Sequence, residues 1–466
     1  MRRFRFLCGA ARRPGLSPSP ARVRSPRTRK ARRAAFYFAR RAHSIGQKLS
    51  GEATKLKKFC AALLALCLFC VPACGEEIDL FSTPAPGPSA AQSAPPPELS
   101  GEALLEAPPI ELNCAAAMLL EMESGQILFQ MNPDVPRPVA SVTKVMTILL
   151  ALEAIEQGRV ALDQQLTVSK AAAGMGGSQV LLDVGEVQTV DVLVKSMIVG
   201  SANDACVAMA ELMYGSEELC VERMNARAAE LGMENTRFVN CTGLPEAGQH
   251  TTARDVAVMT MAMLRHPLYF EYAGIWLDEV DHGDGRVTQL TNTNKLIRLY
   301  EGCDGGKTGS TDEALYCVSA TAARGGMRLI AVVLGAPSGT ERFDTAAEMF
   351  DYGFANYRLY PVARRGTRVR GELPVEDGRP DGVSLTLDGD LTLLVSKGEE
   401  QKIQLVPELP QSLTAPVEAG QIVGHVRVEL DGRILARLPV VSASASELKG
   451  LPGNLRRLWG NWTLAG

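Results

Sequence analysis

The residues that could do chemistry are a serine and a lysine three positions apart, Ser141 and Lys144. Residues at this spacing share one helix face, so the lysine amine would reach the serine hydroxyl. If burial and a second cation keep that amine uncharged, it takes the hydroxyl proton and the serine becomes a nucleophile. The first turn of a helix also offers unpaired backbone N–H groups to a developing oxyanion. Apolar residues recur after this pair at helical spacing and predict a buried helix: Val145, Ile148, Leu149, Leu152 and Ile155.

The Ser-x-x-Lys pattern alone is weak evidence, because the chain contains a second copy, Ser446 to Lys449, in a segment that is predicted to be a polar tail. Ser141 differs because two further groups follow it. Ser201-Ala202-Asn203 comes 60 residues later, in a connection between two helices, and Lys307-Thr308-Gly309 comes after 166 residues as the only Lys-Thr-Gly in the chain. Outside this context, Ser141 would more often be a helix N-cap, Lys144 a solvated lysine and Asn203 a loop cap. Their conjunction in this order predicts one site.

The elements around these groups predict an α+β domain. Residues 115–130 have the short apolar runs and the turn residues of a hairpin, and a long, mostly helical region follows the Ser141 helix. Strands are predicted from about Thr288, with residues 305–309 opening the run 314–320, and a helix is predicted over 342–354. Helices flanking an antiparallel sheet are therefore expected for residues 112–360, followed by a small all-β domain over 361–445.

Charge and composition divide the ends of the chain from its body. Residues 1–74 carry 18 Lys and Arg against one acid, a surplus of 17, so the formal charge of −3 leaves about −20 for the rest. An acidic body argues against a nucleic-acid partner. Residues 1–54 are predicted to be a disordered basic extension. Residues 55–74 combine three lysines with an apolar run of signal-peptide length, which predicts export to the outer face of the cytoplasmic membrane or the cell wall. Cys74 is an alternative lipidation site, although Pro72 departs from that pattern.

Two further segments bear on attachment. Residues 75–111 are rich in Pro, Ala and Ser and are predicted to be a linker. In the tail, 446–466, Trp459 and Trp462 stand near two arginines, which fits either a membrane-interface segment or a short capping helix.

The six cysteines of the body show no Cys/His clustering and the chain has no nucleotide loop, so neither a metal nor a cofactor is expected. These cysteines are either paired after export or small core residues.

The ordered groups resemble the serine D-alanyl-D-alanine carboxypeptidases, the low-molecular-mass penicillin-binding proteins. The resemblance spans roughly residues 112–445 and extends beyond the three groups to other segments: 136–141, 201–205, 235–238, 251–255 and 327–330. It implies a penicillin-binding, β-lactamase-like transpeptidase domain followed by a β domain. It also implies removal of the terminal D-alanine from peptidoglycan stem pentapeptides, with β-lactams as covalent inhibitors.

The resemblance assigns a role to each catalytic position. Ser141 would be the acylated nucleophile and Lys144 its general base. Ser201 would relay a proton to the leaving amine, while Asn203 would hold both Lys144 and the substrate amide. Lys307 would supply the second cation that keeps Lys144 neutral.

The substrate-binding positions follow from the same resemblance. Lys307 and Thr308 would meet the terminal carboxylate, and Gly309 would let its strand approach closely. The backbone N–H groups of Ser141 and Ser310 would form the oxyanion hole. Arg342 matches an arginine that assists carboxylate recognition in relatives, or it is a surface arginine.

Two departures from the family pattern concern the cleft wall, where relatives often have Tyr or His at the position of Ser310 and Gly at the position of Leu315. They bear on which substrate side chains are preferred and on the rate.

A β-lactamase would use the same three groups, but the chain has no Glu-x-x-Leu-Asn signature for a deacylating base. A non-catalytic wall-binding protein is a third hypothesis, and the intact groups argue against it.

Overall fold

The structure is a computed structural model that describes residues 77–78 and 110–450. The predictions for residues 1–54 and 55–74, for most of the linker and for residues 451–466 therefore lie outside the described residues. The folded part consists of an α+β domain and an all-β domain, which confirms the predicted fold class.

A five-stranded antiparallel sheet forms the centre of the first domain, in the order β3-β2-β10-β9-β8. Two small hairpins, β4–β5 and β6–β7, lie outside it. The strands of this domain are β2 (Ala116–Glu121), β3 (Ile127–Met131), β4 (Gln165–Thr167), β5 (Val187–Thr189), β6 (Leu277–Asp281), β7 (Val287–Thr291), β8 (Cys303–Thr311), β9 (Leu315–Arg324) and β10 (Met327–Ala336).

Nine α-helices of the described residues accompany the sheet. They are α1 (Lys144–Glu156), α2 (Lys170–Ala173), α3 (Val190–Lys195), α4 (Asn203–Tyr214), α5 (Glu217–Glu230), α6 (Ala253–Met263), α7 (Pro267–Ala273), α8 (Leu296–Leu299) and α9 (Glu341–Asn356). A 3₁₀ turn, Ala140–Thr143, leads into α1, and a π-helical segment, Ser196–Gly200, follows α3. Ten of the thirteen residues of α1 are buried, so this helix runs through the core. No described helix has the length and apolar character that crossing a bilayer requires.

Both faces of the sheet are covered, which explains why β2 is buried at all six positions. Ala116, Met118 and Leu120 point to the core shared with α1, α4 and α6, whereas Ala117 and Leu119 point to the core under α9. Alternate residues of a strand face opposite sides, so a strand between two helical layers needs apolar residues throughout. The edge strand β8 is thereby held against the turn that carries Ser141.

The second domain buries alternate residues of its strands in a separate core. Its main sheet has the order β1-β12-β14-β19-β18-β16, with β17 paired to β12; β11 pairs with β15, and β13 pairs with β20. The strands are β1 (Glu77–Ile78), β11 (Tyr357–Ala363), β12 (Arg368–Glu376), β13 (Gly378–Arg379), β14 (Gly382–Leu387), β15 (Leu391–Ser396), β16 (Ile403–Glu408), β17 (Leu413–Thr414), β18 (Ile422–Leu430), β19 (Arg433–Ser442) and β20 (Glu447–Leu448).

Three details differ from the sequence-based expectation. Residues 305–309 do not open the run 314–320; they belong to β8, which turns at 312–314 and pairs antiparallel with β9. After the helices, the strands resume with β6 at Leu277 rather than near Thr288. The second Ser-x-x-Lys copy is not in a polar tail, because Ser446 is buried in the β domain, where its hydroxyl donates to the Pro380 carbonyl. Local composition did not reveal these long-range pairings.

Candidate active site

Ser141 lies in the 3₁₀ turn Ala140–Thr143, and Lys144 is the first residue of α1. The Lys144 Nζ atom is 2.8 Å from the Ser141 Oγ atom, and the lysine side chain is 0% exposed. The turn bends sharply at Ala140, whose φ is +49°. The predicted nucleophile–base pair is therefore within hydrogen-bonding distance.

The Lys144 amine also donates to the backbone carbonyl of Thr242, at 2.7 Å. The Asn240 side chain shapes this loop, because its Oδ1 accepts the N–H of Gly243 at 2.7 Å. Gly243 has a φ of +81°, and a Cβ there would overlap the Ala140 carbonyl. Sequence reasoning missed Thr242. The Asn-Cys-Thr-Gly stretch signals a tight turn, but not which side chain its carbonyl meets.

Ser201 and Lys307 form a second pair facing the site. Lys307 is 1% exposed, and its Nζ donates to the Ser201 Oγ at 2.7 Å and to the Thr308 carbonyl at 3.0 Å. Ser201 has a φ of +60° between the π-helical segment and α4, a conformation that non-glycine residues rarely adopt. Irregular backbone of this kind concentrates at functional sites.

Strand β8 packs directly on the Ser141 turn at Gly309. A Cβ at Gly309 would lie 2.9 Å from the Ser141 nitrogen and would overlap the Val139 carbonyl. Ser310 follows Gly309 in β8, directly after this close approach, and the resemblance expects its N–H to form the oxyanion hole with that of Ser141. Farther along β8, a small cleft adjoins the turn, lined among others by Ala140, Gly243 and Thr311.

Arg342 lies behind β8 rather than on the surface. Its Nη1 donates to the carbonyls of Gly309 at 3.1 Å and Cys317 at 3.3 Å, and the guanidinium carbon lies 5.6 Å from the centre of the Tyr316 ring. Its Nε is buried without a hydrogen-bond partner among the described residues. Thr308 donates its hydroxyl to Thr293 at 2.8 Å.

Asn203 does not hold Lys144, contrary to the role expected from the resemblance. Its Nδ2 donates to the Gly176 carbonyl at 2.6 Å, and its Oδ1 is buried without a partner within residues 110–450. The Thr242 carbonyl takes the place beside Lys144 that was expected for Asn203.

Leu315, the other departure in the cleft wall, follows the turn at the end of β8 and is 41% exposed. Its φ of +54° is a conformation that favours glycine.

Burial lowers the pKa of both lysines. Removal from water disfavours the charged amine of Lys144, and it lowers the pKa of Lys307 well below the ordinary value of 10.5, an effect that the positive charge of Lys144 increases. Repulsion between two charges is mutual, so a proton on either lysine disfavours a proton on the other. The pair therefore favours a single positive charge.

The lowered pKa of Lys144 predicts the pH dependence of serine acylation. The rate should rise with pH as Lys144 loses its proton and should reach its maximum below pH 10.5, the ordinary pKa of a lysine. The measurement is the second-order rate constant for labelling by a fluorescent penicillin between pH 5 and pH 11. A rate that still rises at pH 11 would contradict the lowered pKa of Lys144.

The described residues offer no group of three or more His, Cys, Asp and Glu side chains that could hold a metal ion. The six cysteines at positions 114–317 are free thiols, and five of them are buried. In this structure they are small core residues.

Known proteins match both domains of the chain. A family model described as D-alanyl-D-alanine carboxypeptidase matches residues 103–338, and one described as the C-terminal domain of penicillin-binding protein 5 matches residues 357–447. The chain belongs to the serine-type D-alanyl-D-alanine carboxypeptidase family. This confirms the resemblance drawn from the three groups of residues.

Two relatives and one solved structure show the extent of the similarity to this carboxypeptidase family. The D-alanyl-D-alanine carboxypeptidase DacF of Bacillus subtilis is 37% identical over 75% of this chain and 90% of its own length. The D-alanyl-D-alanine carboxypeptidase DacC of Escherichia coli is 32% identical over 78% of this chain and 90% of its own length. The structure of penicillin-binding protein 5 from Haemophilus influenzae has a TM-score of 0.62 at 29% identity, covering 73% of this chain and 99% of that one.

Proposed function

We propose that the protein removes the terminal D-alanine from peptidoglycan stem pentapeptides through an acyl-serine intermediate. The observation that carries this proposal is the fully buried Lys144 amine, 2.8 Å from the Ser141 hydroxyl. Because burial lowers the pKa of Lys144, a larger fraction of this amine is uncharged, and so able to act as a base, than of an exposed lysine. Serine is then activated without a histidine.

In the acylation step, uncharged Lys144 accepts the Ser141 proton as Oγ attacks the carbonyl carbon of the penultimate D-alanine. The developing oxyanion is stabilised by the backbone N–H groups of Ser141 and Ser310. The C–N bond then breaks, and the leaving amine of the last D-alanine takes a proton that Ser201 relays from Lys144. Water hydrolyses the resulting ester and releases the shortened peptide.

The charge of the site fits a substrate with a free carboxylate at its end. Lys307 holds the single positive charge when Lys144 is the base, and Arg342 adds a second cation behind Gly309. A carboxylate bound at Lys307 and Thr308 places the preceding residues of the peptide farther along β8, towards the cleft beside Ala140 and Thr311. The free Oδ1 of Asn203 is an acceptor for an amide N–H of the same peptide.

The test is release of D-alanine from a stem pentapeptide, together with labelling by a fluorescent penicillin. Wild-type protein should release one D-alanine per peptide and take up the label, whereas Ser141→Ala should do neither, because the nucleophile is gone. Equal labelling of Ser141→Ala would contradict the assigned nucleophile. Fast, multiple-turnover hydrolysis of penicillin without D-alanine release would instead indicate a β-lactamase.

We also propose that the protein is exported and held at the membrane surface. Support comes from the lysines and the apolar run of residues 55–74 and from the Trp and Arg residues of the tail. The N-terminus of the mature protein and its distribution between membrane and soluble fractions test this. Recovery of the intact chain in the cytoplasm would contradict export, and retention of Cys74→Ser on the membrane would rule out lipidation as the anchor.

A further inference from the structure

The segment Gly176–Leu182, which belongs to none of the three groups of site residues, lies against the start of α4. The N–H of Asn203 donates to the Ser178 carbonyl at 2.7 Å, and the Asn203 side-chain amide donates to the Gly176 carbonyl at 2.6 Å. The segment thus contacts both the backbone and the side chain of a residue assigned to the reaction.

These contacts fix the orientation of the Asn203 amide group. Because the Gly176 carbonyl can only accept, the amide nitrogen must face it, and Oδ1 faces the opposite way. That oxygen is buried without a partner among the described residues, and the side chain is 2% exposed. A buried unpaired acceptor is costly in the empty enzyme and is satisfied when a donor from the substrate arrives.

Gly177 makes room for this arrangement. A Cβ at this position would lie 2.9 Å from the Asn203 Nδ2 atom and 3.5 Å from the Leu244 side chain, and its φ is +77°. A methyl group at Gly177 would therefore push the Asn203 amide away from its position. It would also meet the loop whose Thr242 carbonyl binds Lys144.

Asp204 holds the segment in place from the helix side. Its carboxylate is buried and accepts the backbone N–H groups of Val180, at 3.1 Å from Oδ2, and Leu182, at 3.1 Å. Charge-assisted bonds to two backbone donors fix a loop more firmly than apolar contacts alone.

We propose that Gly176–Leu182 is a segment that positions the Asn203 side-chain amide. The Gly176 carbonyl accepts the amide N–H, Gly177 leaves the space that a side chain would fill, and the Asp204 carboxylate holds the segment in place. The proposal rests on the function proposed above. It assigns no chemical step to the segment, which acts only through Asn203.

The test compares two glycines of the connection between α2 and β5, which share a positive φ and differ in their surroundings. Gly177→Ala should lower the acylation rate constant for a fluorescent penicillin by about 10- to 100-fold, because small displacements of a positioned group are that costly. Gly185 has a φ of +86° and nothing within 4 Å of a Cβ, so Gly185→Ala should stay within about twofold of wild type. The pair separates contact with Asn203 from backbone strain.

A double-mutant cycle with Asn203→Ala separates positioning from general damage to the fold. In the Asn203→Ala background, Gly177→Ala should lower the acylation rate constant by less than about twofold. If Gly177→Ala does not fold, Asp204→Asn takes its place in the cycle, with the same expected result. An equal loss in both backgrounds would overturn the proposal. So would an unchanged rate in folded Gly177→Ala. The side-chain amide NMR signal of Asn203, assigned by its loss in Asn203→Ala, should move in Gly177→Ala and not in Gly185→Ala.

Failure of this inference is distinguishable from failure of the proposed function. If wild-type protein releases D-alanine but the cycle is additive, only the positioning role is lost. If wild-type protein neither releases D-alanine nor takes up penicillin, the proposed function itself is wrong, and an Asn203 amide signal that is also unmoved in Gly177→Ala overturns the positioning role as well.

Discussion

Replacing Lys144 by methionine is expected to slow acylation of Ser141 by about 10²- to 10⁴-fold, the range that a positioned general base contributes. Methionine has a similar length and suits a fully buried position, so the fold should persist. The Thr242 carbonyl loses its donor, at an expected cost of about 1–3 kcal/mol in the free energy of unfolding. Stopped-flow labelling with a fluorescent penicillin gives the rate, and thermal unfolding gives the stability.

The matched control is Lys449→Met, which removes the lysine of the second Ser-x-x-Lys copy in the β domain. This substitution should leave the acylation rate unchanged, because the pattern there is not accompanied by the other two groups. A Lys144→Met protein that folds and acylates at the wild-type rate would show that another group takes the Ser141 proton.

Replacing Gly309 by alanine is the second change with a large expected effect. The added methyl would overlap the Val139 carbonyl and lie 2.9 Å from the Ser141 nitrogen, so β8 must move away from the turn. Loss of one oxyanion donor costs about 10²- to 10³-fold in rate, and a comparable loss in kcat for D-alanine release is expected. The steady-state kinetics of D-alanine release measure it.

Gly339→Ala is the control for this substitution, because a Cβ there meets only the Tyr316 ring at 3.5 Å, an ordinary contact. It should retain wild-type kinetics. If Gly309→Ala kept both its kcat and its stability, the close packing of β8 on the Ser141 turn would not be needed for the reaction.

The sequence predicted the parts of the site that depend on local spacing. Ser141 lies in a 3₁₀ turn that continues into α1 at Lys144, and a spacing of three residues in such a turn brings the two side chains to one face. The three groups, in order, identified the family and hence the fold, although nothing local states that Lys307 reaches Ser201.

The rest of the site depends on contacts between distant segments. The Thr242 carbonyl reaches Lys144 across 98 positions, and the Gly176 carbonyl reaches the Asn203 amide across 27. Backbone carbonyls carry no residue-type signal, so a sequence cannot show which of them faces a catalytic side chain. The buried place of Ser446 was missed for the same reason, since it is buried where it bridges to Val417 and donates to the Pro380 carbonyl.

The most direct test of the account identifies the residue that carries the acyl group during turnover. Wild-type protein is mixed with a diacylated tripeptide ending in D-Ala-D-Ala, quenched with acid within milliseconds and digested for mass spectrometry. The account predicts a burst of D-alanine and an adduct, equal to the substrate without its last residue, on the peptide that contains Ser141. Ser141→Ala should show neither. An adduct on another residue, or a D-alanine burst from Ser141→Ala, would contradict the central claim.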